Sequence, residues 1–216
     1  MTPPPGRKQD PSQLFEVVRR FQRQPEMDNC EPTCFKNILD ELSSRSKVKK
    51  IRRSLGDLNR MFDYRRGLFC DSDVGISRLN DALLPFGFGV RKRYGPQVTI
   101  NDLLRVTVDE RGSYPIVAVG QAYFGEQTKS YKYSGDPHVD HALVVLRVDL
   151  DNQRVTFFDP YENYLKAKGI TDVKTELPIV RFNSYWGGAD RPYWMAWVEP
   201  VTPPIEEWRT EQGGTP

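Results

Sequence analysis

Apolar residues recur at helical spacing through the first half of the chain and at strand spacing through the second. Leu14, Val17, Val18 and Phe21 mark a helix over residues 11–22. A second helix is expected over 32–42, with Pro32 at its first position and Cys34, Phe35, Ile38, Leu39 and Leu42 as its apolar stripe. Shorter helices are expected over 55–62 and 100–106. Residues 74–84 form another, with Ile76, Leu79, Ala82 and Leu83 on one face and Gly87 just past its end. The period then changes. Residues 116–119, 142–150, 154–158 and 193–198 read as strands, and Asp151-Asn152 marks a two-residue hairpin turn. Helices first and an antiparallel sheet after them is an α+β arrangement.

Composition narrows the class. The 216 residues are long enough for one core, and 28% charged against 38% hydrophobic residues describes a polar, soluble chain. Residues 1–11 and 203–216 are rich in Pro, Gly and charge, and are expected to be disordered tails. The net charge of +2 gives no reason to invoke nucleic acid. No run is long and apolar enough for a membrane helix, and the polar N-terminus lacks a secretory h-region. Three cysteines are too few and too odd for a disulfide scaffold, which points to a reducing, cytoplasmic setting.

The candidate chemistry sits in four residues. Cys30 lies at or just before a helix N-terminus, among the polar residues Asp28, Asn29 and Glu31. Partial positive charge at such a terminus favours a thiolate nucleophile. Cys34, one turn on, belongs to the apolar stripe and reads as a core residue, and Cys70 is assigned no role. The two histidines, His138 and His141, are the only imidazole bases. His138 lies in a loop-like stretch, whereas His141 opens an apolar strand, where its ring would face a helix start across a cleft. Asp159 ends the next strand and would hold the second imidazole nitrogen. Gln24, six residues before Cys30, would donate to an oxyanion, with Gln22 close enough to be confused with it.

Strand register supplies a constraint. A symmetric turn at Asp151-Asn152 sets Asp159 opposite Val144, leaving His141 on the other face. The catalytic arrangement therefore requires an odd turn, a bulge, or Asp159 bending in beyond its strand.

Taken in order, these residues resemble the papain-like cysteine peptidases, most nearly those that cleave leader peptides from bacteriocins and their stand-alone relatives. The likeness rests on Gln24 followed by Cys30, on Cys30-Glu-Pro-Thr-Cys-Phe, on Gly75-Ile-Ser-Arg-Leu-Asn-Asp-Ala-Leu-Leu-Pro-Phe-Gly-Phe, on Tyr114-Pro-Ile-Val-Ala-Val, on His141-Ala-Leu-Val-Val and on Phe158-Asp159-Pro160. It covers residues 20–165. It implies a papain-like domain over 12–202, with N-terminal helices on an antiparallel sheet. It also implies cleavage of a peptide or protein by Cys30, His141, Asp159 and Gln24, with no cofactor. Two features depart from the family. Glu31 stands where glycine is usual, and its charge opposes thiolate formation, pointing to a narrow or altered substrate. Asn183-Ser-Tyr-Trp186-Gly is superficially similar to the segment around papain's orienting asparagine, but carries an inserted Tyr and lies far from His141.

Three other readings compete. Cys30, Cys34, His138 and His141 have the ligand types of a zinc site, without a knuckle turn. The basic stretch 45–66 would dock an acidic partner or a nucleic-acid backbone in a non-catalytic module. The same triad would equally run deamidation or acyl transfer through a thioester.

Overall fold

The computed structural model describes residues 11–24, 29–64, 72–109, 111–120, 122–127, 140–162 and 175–201. The expected tails at 1–10 and 203–216, and also Cys70 and His138, lie outside them. Pro11, grouped with the tail by composition, is the first residue of helix α1 (Pro11–Arg20).

Helix α2 (Cys30–Ser46) starts two residues before the position expected from Pro32. A proline there costs nothing, because the first backbone N–H groups of a helix have no partner within it. The first intrahelical bond runs from Thr33 N–H to the Asn29 carbonyl at 3.1 Å. Cys30 is therefore the first helical residue. The helix continues past Leu42 because Ser43 is also buried, and it ends at Lys47 in the left-handed region (φ 62°). Helices α3 (Leu55–Met61), α4 (Ser72–Leu83) and α5 (Ile100–Val108) fall where periodicity places them.

Strand β1 (Phe88–Arg93) was not expected, and it comes before α5, so the helices do not all precede the sheet. Strand β2 (Ile116–Val119), helix α6 (Ala122–Gln127), β3 (His141–Asp149), β4 (Arg154–Phe158), β5 (Glu176–Pro178), α7 (Ile179–Gly187) and β6 (Met195–Pro200) complete the order. The sheet runs β1-β6-β2-β3-β4-β5, with every pair antiparallel. The fold is α+β, with helices covering both faces of the sheet. One core packs α1 to α4 against Ile116, Val144, Phe158 and Val198. The other packs α5 to α7 against Val117, Leu143, Phe157 and Trp197. Among the described residues, no helix is long and apolar enough to cross a membrane.

The β3–β4 hairpin departs from the expected two-residue turn. Asp149 pairs with Arg154, so the turn spans residues 150–153, with Asp149 Oδ1 accepting from Asn152 N–H at 3.0 Å. This turn is still symmetric and leaves the register unchanged. The register shifts between Val145 and Arg147, where Leu146 is an extra residue on β3. Ala142, Val144 and Leu146 therefore face the first core, but Val148 faces the second, with Leu143 and Val145. Carrying the pairing one step past Phe158 sets Asp159 opposite Leu143, which shares the face of His141.

Gly75 shows how tightly α4 sits on its neighbours. A Cβ there would fall 2.2 Å from the ring of fully buried Phe62. Gly75→Ala is expected to destabilise the fold by about 1–3 kcal/mol through overpacking. Chemical denaturation measures this, and unchanged stability would contradict the packing described.

Candidate active site

The bulge brings the two expected partners together. His141 Nε2 lies 2.7 Å from Asp159 Oδ1, and both side chains are buried, at 4% and 1% exposure. Asp159 is fully served by donors. Oδ1 also accepts from Tyr161 N–H at 2.8 Å, and Oδ2 accepts from the Tyr123 hydroxyl at 2.8 Å. Every one of these bonds runs toward the carboxylate. That pattern keeps a proton on Nε2, so Nδ1 is the nitrogen that takes up and releases the other proton.

Three aromatic rings enclose the imidazole. Its centroid lies 5.1 Å from Phe124, 5.9 Å from Tyr161 and 6.0 Å from Tyr123, the last nearly parallel at 21°. Burial alone pulls the imidazole pKa down. The Asp159 charge and hydrogen bond, together with a hydrogen bond and charge from Cys30, outweigh it and push His141 up to about 10. Cys30 thus bears on the same ring that Asp159 holds. It sits at the first position of the 17-residue α2, the positive end of that helix.

Cys34 behaves differently. It is fully buried, and its Sγ donates to the Ala142 carbonyl at 3.5 Å. Burial pushes its thiol well up, and the charges of Cys30, Asp159 and Glu31 act in the same direction. The two cysteines are therefore sharply unlike, although one helical turn apart.

The segment carrying Gln24 is strapped to both halves of the site. Asn37 on α2 accepts from Gln22 N–H and donates to the Gln22 carbonyl, both at 2.7 Å. Gln24 N–H bonds the carbonyl of Pro160, next to Asp159, at 2.9 Å. The Arg23 guanidinium adds an ion pair to Glu162 at 2.9 Å. Gln22 is exposed and Gln24 is buried, so the structure separates the two glutamines that sequence alone confuses.

Glu31 is also mostly buried, and its Oε2 accepts from the Ser72 hydroxyl at the start of α4. A line of contacts continues from there. Asp73 pairs with Lys92 at 2.5 Å and Arg191 at 3.1 Å. The backbone N–H groups of Asp190 and Arg191 donate to Asp140 at 2.9 and 3.5 Å, and Asp140 precedes His141. Polar contacts therefore run from the Cys30 end of α2 round to the mouth of β3.

Asn183 lies on α7, and the imidazole nitrogen an orienting group would hold is taken by Asp159. Trp186, Trp194 and Trp197 are buried in the cores. Among the described residues, no cluster of three or more His, Cys, Asp or Glu side chains is arranged to hold a metal ion. Much of the basic stretch serves local structure. Arg45 binds Glu41 and the Gly112 carbonyl, Arg53 binds the carbonyls of Lys50, Arg52 and Ala82, and Arg60 pairs with Asp57. Tyr123, Phe124 and Tyr161 are the site residues that sequence reading missed. The first two lie on the six-residue α6, too short for periodicity to mark. No protein-family model and no curated protein sequence matches the chain.

The raised His141 pKa makes a stability prediction. A folded-state value near 10 against an unfolded 6.5 gives stability fully present below pH 6.5 and lost as pH rises through about 10. Denaturation across that window should show wild type losing stability relative to His141→Gln, which keeps a donor but does not titrate. Parallel curves would contradict the raised value.

Proposed function

We propose that the protein is a papain-like thiol amide hydrolase that cleaves a peptide or protein in a reducing, cytoplasmic setting. The observation that carries this reading is the buried His141–Asp159 pair at 2.7 Å, with Cys30 acting on the same imidazole from the start of α2.

In this mechanism the Cys30 thiolate attacks an amide carbonyl, and the imidazolium of His141 stabilises the thiolate as an ion pair. The tetrahedral oxyanion is held by the backbone N–H of Cys30 and the side chain of Gln24. His141 then gives its proton to the departing amine, leaving a thioester on Cys30. Water attacks the thioester with His141 as base, and the acid product and thiol are restored. Asp159 keeps Nε2 protonated throughout, so the other ring nitrogen does the proton transfer. An amine acceptor in place of water turns the same steps into acyl transfer, and a side-chain carboxamide substrate turns them into deamidation. The Glu31–Ser72 hydrogen bond ties the carboxylate beside Cys30 to α4.

A peptidyl electrophile that alkylates active-site thiols, read by intact mass and peptide mapping, tests the reading. Modification is expected at Cys30 alone, abolished in Cys30→Ala and slowed about a hundredfold or more in His141→Ala. Gln24→Ala should retain labelling but lower peptide turnover by about 10²–10³. Labelling that is indifferent to His141, or that falls on Cys34, would overturn the assignment.

A further inference from the structure

We propose that Tyr123 is a positioning residue of this site: its hydroxyl pins Asp159 so that Asp159 presents one fixed oxygen to His141 and holds the imidazole facing Cys30. The inference rests on the thiol-hydrolase reading and adds a residue to it.

Asp159 Oδ1 serves two donors, His141 Nε2 and Tyr161 N–H. Those bonds leave rotation about the carboxylate's own axis opposed by one oxygen only. The Tyr123 hydroxyl at 2.8 Å from Oδ2 fixes the other. With both oxygens held, the carboxylate plane and therefore the direction of the His141 bond are set. The position is closed to solvent, with Tyr123 fully buried and Asp159 1% exposed. Water is thus no ready replacement for the hydroxyl, and a hydrogen bond to a buried charge counts for more than one at the surface. A phenylalanine would fill the same apolar surroundings, so the hydroxyl is there for its bond and not for packing.

The tyrosine is itself held from two sides. Its ring lies nearly parallel to the imidazole and edge-on to Phe157 and Tyr185. Its backbone N–H bonds the Gly120 carbonyl at 3.0 Å, and Gly120 N–H bonds the Tyr185 carbonyl at 2.9 Å. A Cβ at position 120 would fall 2.2 Å from the Gly188 carbonyl oxygen, so the start of α6 seats against the end of α7 only with glycine there. The fold thus aims one phenol at one carboxylate oxygen through rigid neighbours, as a positioning group requires.

The test is Tyr123→Phe, made in wild type and in Asp159→Asn, with two readouts. Proton NMR follows the His141 Nε2–H, which in wild type should resonate far downfield and exchange slowly. Iodoacetamide alkylation of Cys30 is followed between about pH 5 and pH 10. In the wild-type background, Tyr123→Phe should move the resonance upfield, speed its exchange with water and slow alkylation at neutral pH about tenfold or more. In Asp159→Asn the same substitution should have little further effect, because its action passes through the carboxylate. A variant that only loses thermal stability, with resonance and pH profile overlying wild type, would overturn the proposal. Equal loss in both backgrounds would overturn it too. The resonance needs no reactive thiol. Failure of the thiol-hydrolase reading would therefore appear as wild-type Cys30 alkylating no faster than an ordinary exposed thiol, separately from failure of the Tyr123 assignment.

Discussion

The bond between His141 and Asp159 is the interaction on which the site depends, and one extra residue in β3 makes it possible. Without Leu146 as a bulge, the symmetric turn at 150–153 would put Asp159 on the opposite face of the sheet from His141. The two side chains would then belong to different cores. With it, both lie on the face that carries Phe157, Tyr161 and Tyr123. Such a shift is not a local repair, because every residue of β3 beyond the bulge changes the core it serves.

A buried carboxylate and a buried imidazole are costly unless each is paired and hydrogen-bonded. Here Asp159 accepts from Tyr123, Tyr161 and His141, and three aromatic rings enclose the imidazole. The same low-polarity enclosure strengthens the pairing that offsets it. On the other side, Cys30 begins α2, and Cys34 one turn later points its thiol into the sheet at Ala142. That second contact seats α2 on β3, so the helix end and the strand mouth are fixed relative to each other. The line from Glu31 through Ser72, Asp73, Arg191 and Asp140 joins the same two points by the outer route.

Much of this was legible in the chain because it depends on periodicity and order. Strands 116–119 and 154–158 match their apolar runs, and His141 and Asp159, expected as partners, lie within hydrogen-bond distance. The parity of the hairpin even stated what had to be true for His141 and Asp159 to meet. Which of the permitted devices does it was not legible, because Leu146 continues an unbroken apolar run and carries no glycine to mark a bulge. Strand β1 escaped notice because its second half is Arg91-Lys92-Arg93, whose charges pair with Glu199, Asp73 and Asp102 across neighbouring elements. Helix α7 was hidden by its polar Arg181, Asn183 and Ser184 and by the likeness of its middle to a catalytic segment. The hydrogen bond from Ser72 to Glu31 was not legible either, because it is a tertiary contact between α2 and α4.

Asp159 and Cys30 together hold His141 as an imidazolium inside the protein well above neutral pH. The direct measurement is the titration of the His141 ring by NMR, with His138 assigned and removed by substitution. His141 is expected to remain charged at pH 8 and to titrate at about 10. A midpoint at or below the ordinary value of 6.5 would contradict it.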